Sequence, residues 1–155
     1  MTPRTIVSFR LFALLLLFFL FTAPSFAKDT ATIVRVVDGD TLEIKLHGQK
    51  EKVRLIGVDT PEKFASDKLH RDAARIGQGE AIIQALGERA SDFTKSLVKR
   101  GDTVQVEYDQ QPRDKYQRLL AFVWLSDGRM LNETIVCEGY GNALTRYPFR
   151  QDYMT

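Results

Sequence analysis

A mainly β, α+β architecture, a small five-stranded barrel with helices packed across it, is predicted by three observations. Five short segments alternate apolar and polar residues with the period of two that half-buried strands require. One long stretch, Glu80 to Arg100, instead repeats apolar residues every three or four positions. Turn-forming residues punctuate the chain at Asp38-Gly39, at His47-Gly48 and at Ser126-Asp127-Gly128. A chain of 155 residues fits one domain with a modest core.

Thr32 to Val37 is the first predicted strand, ended by Asp38-Gly39. Thr41 to Leu46 is the second, with Leu42, Ile44 and Leu46 on one face and Thr41, Glu43 and Lys45 on the other. His47 to Lys50 turns the chain into a third, Lys52 to Val58, completing a meander. A polar segment follows from Lys63 to Gly79. The helix after it carries Ile82, Leu86, Ala90, Phe93 and Leu97 as its apolar stripe, with Gly101 as the stop. Gly87 costs this helix about 1 kcal/mol relative to alanine and marks a candidate kink. Thr103 to Tyr108 and Leu119 to Leu125 are the fourth and fifth strands, and Glu133 to Glu138 a short helix before Gly139. This count matches a five-stranded barrel of the OB type, an architecture that commonly binds nucleic acids or sugars.

The first 27 residues stand apart. Arg4 and Arg10 precede an unbroken apolar run, Leu11 to Phe21, and Ser25-Phe26-Ala27 supplies small residues at a cleavage site. This pattern predicts a signal peptide over 1–27 and a domain over 28–155, exported to a periplasm or beyond the cell. The run is too short to span a bilayer, so no stable membrane association is expected after cleavage. The formal charge of +2 comes from Arg4 and Arg10 alone, and the 20 basic residues left balance 20 acidic ones. Overall charge therefore counts against a strong nonspecific polyanion binder rather than against an enzyme with a focused site, and any phosphate attraction must be local. The single cysteine, Cys137, forms no intrachain disulfide and is expected as a buried, inert thiol. With no Gly-x-Ser-x-Gly present, a serine hydrolase finds no support.

The chemistry concentrates in residues 37–62. Hairpin strands here can gather Asp40, Arg54, Asp59 and Glu62. Carboxylates beside a guanidinium are costly to assemble unless a cation and an anion sit among them. Taken singly, Asp38-Gly39-Asp40-Thr41 is a hairpin turn, and Asp59-Thr60-Pro61-Glu62 a strand end with a helix cap. Together with Asp114-Lys115-Tyr116-Gln117-Arg118 and Leu131-Asn132-Glu133, in this order, they resemble the staphylococcal nuclease (thermonuclease) family from about Thr32 to Tyr147.

The resemblance implies roles. Asp40 and Asp59 match the family's calcium carboxylates, and Thr60 the residue whose carbonyl joins them; calcium suits such an open oxygen site. Glu62 matches the glutamate that orients or deprotonates the attacking water. Arg54 and Arg118 match the arginines that grip the scissile phosphate. Lys115 and Tyr116 match residues lining the nucleotide's terminal phosphate and sugar, and Tyr147 one of two tyrosines near the base. The implied reaction is hydrolysis of DNA and RNA to 3′-phosphate and 5′-hydroxyl ends by a protein expected to be monomeric.

Three departures from the family pattern stand out. Thr145 replaces one base-side tyrosine, with Phe149 or Tyr153 as possible substitutes. The segment after Glu62 is longer, and as a helix would carry Lys68, Arg71 and Arg75 on one face, either a substrate track or a solvated face laced by Asp67 and Asp72. The sequence stops at Thr155, before the family's usual C-terminal helix, as would a truncated gene, an incomplete sequence or a protein completed by a partner. The main rival is a catalytically inactive nucleic-acid- or protein-binding module of the same fold. Such a module needs neither two calcium carboxylates nor Glu62.

Overall fold

The structure, a computed structural model, describes residues 28–144. The predicted leader, Thr145, Tyr147, Phe149 and Tyr153 lie outside them. In chain order the elements are β1 (Asp29–Asp38), β2 (Thr41–Leu46), β3 (Gln49–Leu55), β4 (Val58–Asp59), α1 (Asp67–Ile76), α2 (Glu80–Leu97), β5 (Thr103–Arg113), β6 (Leu119–Trp124), α3 (Leu131–Cys137) and β7 (Asn142–Ala143).

Five of the strands close into a barrel in the order β1-β2-β3-β6-β5, with β5 returning to β1. Its pairings are antiparallel except at one seam, where β3 and β6 run parallel through Val53↔Leu119, Arg54↔Leu120 and Leu55↔Ala121. Alternation decides which side chains fill the interior. Leu42 and Ile44 of β2, Val53 and Leu55 of β3, and Ala121 and Val123 of β6 are essentially inaccessible to solvent. Arg54, between two buried apolar residues, is thereby turned to the outside of the barrel. The predicted OB-type barrel is what the chain forms.

Several expected boundaries move. The third strand occupies 49–55 rather than 52–58, because Gly57, at φ +73°, breaks the ladder. Val58 and Asp59 then pair with Ala143 and Asn142 as a separate short ribbon. The polar 63–79 segment contains α1, whose Ser66 hydroxyl caps the Leu69 N–H at 3.1 Å and whose Gly77 closes it at φ +70°. Leu69 and Ala73 of α1 bury against Ile83 of α2.

The buried face of α2 keeps part of the expected stripe, with Ala90 buried and Phe93 and Leu97 packed on the barrel core, but not its first two residues. Ile83, Gly87, Ala90, Ser91 and Thr94 face inward, while Ile82 and Leu86 are exposed. Close approach selects this face over the more hydrophobic one. A Cβ on Gly87 would stand 2.6 Å from the Glu62 carbonyl carbon and the Lys63 nitrogen. The helix is therefore unbroken at Gly87, which is a contact point rather than a kink. Cys137 is exposed, contrary to the expected buried thiol, because α3 buries Leu131, Asn132 and Ile135 on the opposite side. Among the described residues, no helix is long and apolar enough to cross a membrane.

Candidate active site

The β1–β2 turn, the end of β3 and the β4 ribbon converge at one end of the barrel. Thr41 pairs with Arg54 across β2 and β3, and the Leu55 N–H donates to the Asp40 carbonyl at 2.9 Å. This register sets Asp40 beside Arg54. The buried Asp40 carboxylate accepts from the Thr60 N–H and hydroxyl, both at 3.1 Å, and from Arg54 Nη2 at 3.0 Å. Its other oxygen accepts from the Thr41 hydroxyl at 3.1 Å. Charge and hydrogen bonds together make burial of this anion tolerable.

The turn itself is pinned from below. A Cβ on Gly39 would meet the Thr60 side chain at 2.8 Å, and the Gly39 carbonyl accepts from the Thr94 hydroxyl of α2 at 2.8 Å. Asp38 stands alongside, its carboxylate accepting from the Asp40 N–H at 3.2 Å. Burial, and then the neighbouring Asp40 charge, push Asp38 up to about 6. Asp38 is thus largely neutral in mild acid and adds no second anion beside Asp40 there.

Arg54 bridges inward and across. Its Nη1 donates to the Leu55 carbonyl at 2.8 Å, and Nη2 lies 3.8 Å from Asp59 Oδ1 as well as 3.0 Å from Asp40. These three acceptors leave capacity in a group with five N–H donors. Asp59 is in turn 3.3 Å from Lys68 Nζ. Lys68 reaches in from α1, donating to the Thr60 carbonyl at 2.9 Å and approaching Glu62 at 3.5 Å and Asp72 at 3.2 Å. Burial opposes its charge, but Asp59, Glu62 and Asp72 outweigh it and hold the ammonium above its ordinary range. Lys68, Asp59 and Asp72 also wall a cleft whose apolar side is formed by Ile76, Ile83 and Leu86.

The structure therefore brings Asp40, Arg54, Asp59, Thr60 and Glu62 together through Arg54 and Lys68. Arg118 is elsewhere engaged, its Nε donating to Asp114 at 2.7 Å and its guanidinium lying over Tyr116, 5.5 Å from the ring centre. It nevertheless precedes by two residues the Leu120 that pairs with Arg54, and alternation puts both arginines on the outer face of the seam. Tyr116 is exposed, and Lys115 Nζ lies 4.9 Å from its ring centre.

Of the two readings of the α1 cations, lacing by acidic residues is the one the Asp72 pairings fit. Lys68 points into the cluster, Arg75 pairs with Asp72 at 3.0 Å, and Arg71 is exposed. Lys68 and Asp72 were missed as members of the site. Their i,i+4 spacing was visible, but which way α1 faced was not.

Asp40, Asp59 and the Thr60 carbonyl supply only oxygen donors, which suit a hard divalent ion with water completing its shell. Among the described residues no three His, Cys, Asp or Glu side chains form a ready cage. The protein's share of such a shell would rest on two carboxylates and one backbone carbonyl.

A closed OB-type barrel with an acid–arginine cluster at one end defines the class of protein. The chain belongs to the staphylococcal nuclease homologue family, whose profile matches residues 52–155. It is 42% identical over 115 residues to a thermonuclease of Staphylococcus intermedius, covering 74% of this chain and 60% of that protein. A thermonuclease of Staphylococcus hyicus is 37% identical over 116 residues, covering 75% and 60%. Endonuclease YncB of Bacillus subtilis (strain 168) is 36% identical over 124 residues, covering 79% and 52%. The chain thus spans between about half and three-fifths of the length of these relatives.

Proposed function

We propose that the chain is an exported, calcium-dependent nuclease that hydrolyses phosphodiester bonds of DNA and RNA, leaving 3′-phosphate and 5′-hydroxyl ends. One observation carries the reading: the two carboxylates and the carbonyl of Asp40, Asp59 and Thr60 stand beside the Arg54 guanidinium and the Glu62 carboxylate. Export rests on the basic, apolar and small-residue pattern of 1–27.

Arg54 is preset for a phosphate. The Leu55 carbonyl and Asp40 fix its plane, and its remaining N–H groups offer a fork to two phosphoryl oxygens. Calcium, held by Asp40, Asp59 and the Thr60 carbonyl, would supply charge neutralisation and a more acidic bound water. Glu62 accepts the proton of the attacking water as its oxygen bonds to phosphorus. The P–O5′ bond breaks, and the leaving oxygen takes a proton from solvent. Arg118 opposes the charge that builds on the phosphoryl oxygens; a guanidinium is too basic to serve as the proton donor. Lys115 and Tyr116 meet the nucleotide's terminal phosphate and sugar. Tyr147 is assigned to the base. Contacts on phosphate and base face do not select for the 2′-hydroxyl, so both DNA and RNA are accepted.

The test is digestion of single-stranded DNA by the protein with calcium and with excess chelator. Cleavage is expected in calcium and none in chelator. No cleavage by protein that circular dichroism shows to be folded would instead leave a binding module.

Gly87→Ala gives a second expected outcome. In an open helix this change stabilises by about 1 kcal/mol. Here the new Cβ would collide with the backbone of Pro61, Glu62 and Lys63 at 2.6–2.7 Å, and the loop carrying Glu62 must shift. Cleavage is expected to fall by about tenfold or more, since misplacing a catalytic group by an ångström costs on that order. Unchanged turnover would show that the loop's position is not critical.

A further inference from the structure

We propose that Lys68 is a tethered cation that competes with the divalent ion for the oxygens of the site. This rests on the metal-dependent nuclease reading and adds to it a residue that sets how tightly the ion is held. Lys68 Nζ lies 2.9 Å from the Thr60 carbonyl oxygen and 3.3 Å from Asp59 Oδ1, two of the three donors assigned to the ion. It also faces Glu62 at 3.5 Å. An ammonium in this place neutralises the same oxygens that a divalent ion would, and the two positive charges repel strongly within a few ångströms of each other.

The competitor is built in. The Ser66 cap and the burial of Leu69 and Ala73 fix the backbone of α1, so the ammonium is presented at a high local concentration. Its four-carbon stem is flexible, and Asp72, one helical turn further on, accepts from it at 3.2 Å. Asp72 therefore provides a second berth on α1 itself, to which the ammonium withdraws when the ion binds. Arg75, paired with the other Asp72 oxygen at 3.0 Å, keeps that carboxylate oriented. The longer segment between Glu62 and α2 is thus an insertion that sets the cation requirement, rather than a track for substrate.

Calcium binding to the metal-free protein, measured by titration calorimetry, tests the proposal, with melting curves recorded for every variant. Lys68→Met keeps the length of the side chain and removes its charge, and is expected to tighten calcium binding by about tenfold or more. Lys68→Arg should stay near the wild-type affinity. Asp72→Asn should weaken binding, and the weakening should disappear in the Lys68→Met/Asp72→Asn double variant, because Asp72 acts through Lys68. If Lys68→Met unfolds without metal, Asp72→Asn decides alone: weaker binding supports the proposal and unchanged binding overturns it.

Equal affinity in the wild type and Lys68→Met overturns the tethered cation and leaves the nuclease reading standing. No calcium binding by any variant overturns both. Wild-type cleavage that survives chelator and is lost in Lys68→Met would overturn the competition, since the ammonium would then replace the ion rather than oppose it.

Discussion

Glu62→Gln is expected to lower the rate of DNA cleavage in calcium by roughly 10²–10⁴-fold, the usual contribution of a positioned general base. The amide keeps the volume of the side chain and loses only its capacity to take a proton. Asp59 and Asp72 still face Lys68, so the cluster retains two of the three carboxylates around the ammonium. Melting should change little. Turnover should fall with KM nearly constant, because Glu62 is assigned to the water and not to the nucleotide. A variant cleaving within about threefold of wild type would remove Glu62 from the mechanism and leave water activation to the ion alone.

The largest stability effect is expected at Asn132. This buried side chain sits at the start of α3, donating to the Ile56 carbonyl at 2.9 Å and the Ala121 carbonyl at 3.1 Å. It also accepts from the Val123 N–H at 2.9 Å. One amide thus joins the end of β3 to the middle of β6, beside the seam that carries Arg54. Asn132→Ala removes the partner of the Val123 N–H and of the Ile56 carbonyl, while the Ala121 carbonyl keeps the Ile56 N–H at 3.0 Å. The cost is about 1–3 kcal/mol for each group left unpaired and buried. A loss of about 3 kcal/mol corresponds to a fall of on the order of 10 °C in melting midpoint. Asn132→Asp tests the cause. Its ionised carboxylate could still accept from Val123 but would repel two carbonyls, so it should be the less stable variant at neutral pH. It should recover in acid, where a protonated carboxyl regains one donor. Equal melting of the Ala and Asp variants across pH would show that packing, not these hydrogen bonds, sets the cost.

The barrel was legible because its strands alternate cleanly. Leu42, Ile44 and Leu46 announce an inward face, and the structure buries all three. The gathering of Asp40, Arg54 and Asp59 was legible for the same reason, since hairpin register fixes which residues share an end. Helix faces were harder. Hydrophobicity pointed to Ile82 and Leu86, but close packing chose Gly87, Ser91 and Thr94, which take the helix against the Glu62 loop and under the Gly39 turn. A small side chain is invisible to hydrophobicity, although it permits the nearest approach. Lys68 escaped for a related reason. Its charge suggested solvent or substrate, and only the rotation of α1 about Leu69 and Ala73 aims it at Asp59.

The parallel seam between β3 and β6 orders events in time. The first three strands are neighbours in sequence and can pair as soon as they are made. Those at the seam lie apart by β4, two helices and β5, so joining them closes a long loop, as does the pairing of β1 with β5. Asp40 and Arg54 meet within the early meander, whereas Arg118, two residues before Leu120, comes to the same seam only when it zips. On the proposed function, hydrolytic competence is the last thing the chain acquires as it folds. A copy caught half-folded inside the cell that made it would hold its carboxylates and one arginine, and leave that cell's own nucleic acids intact.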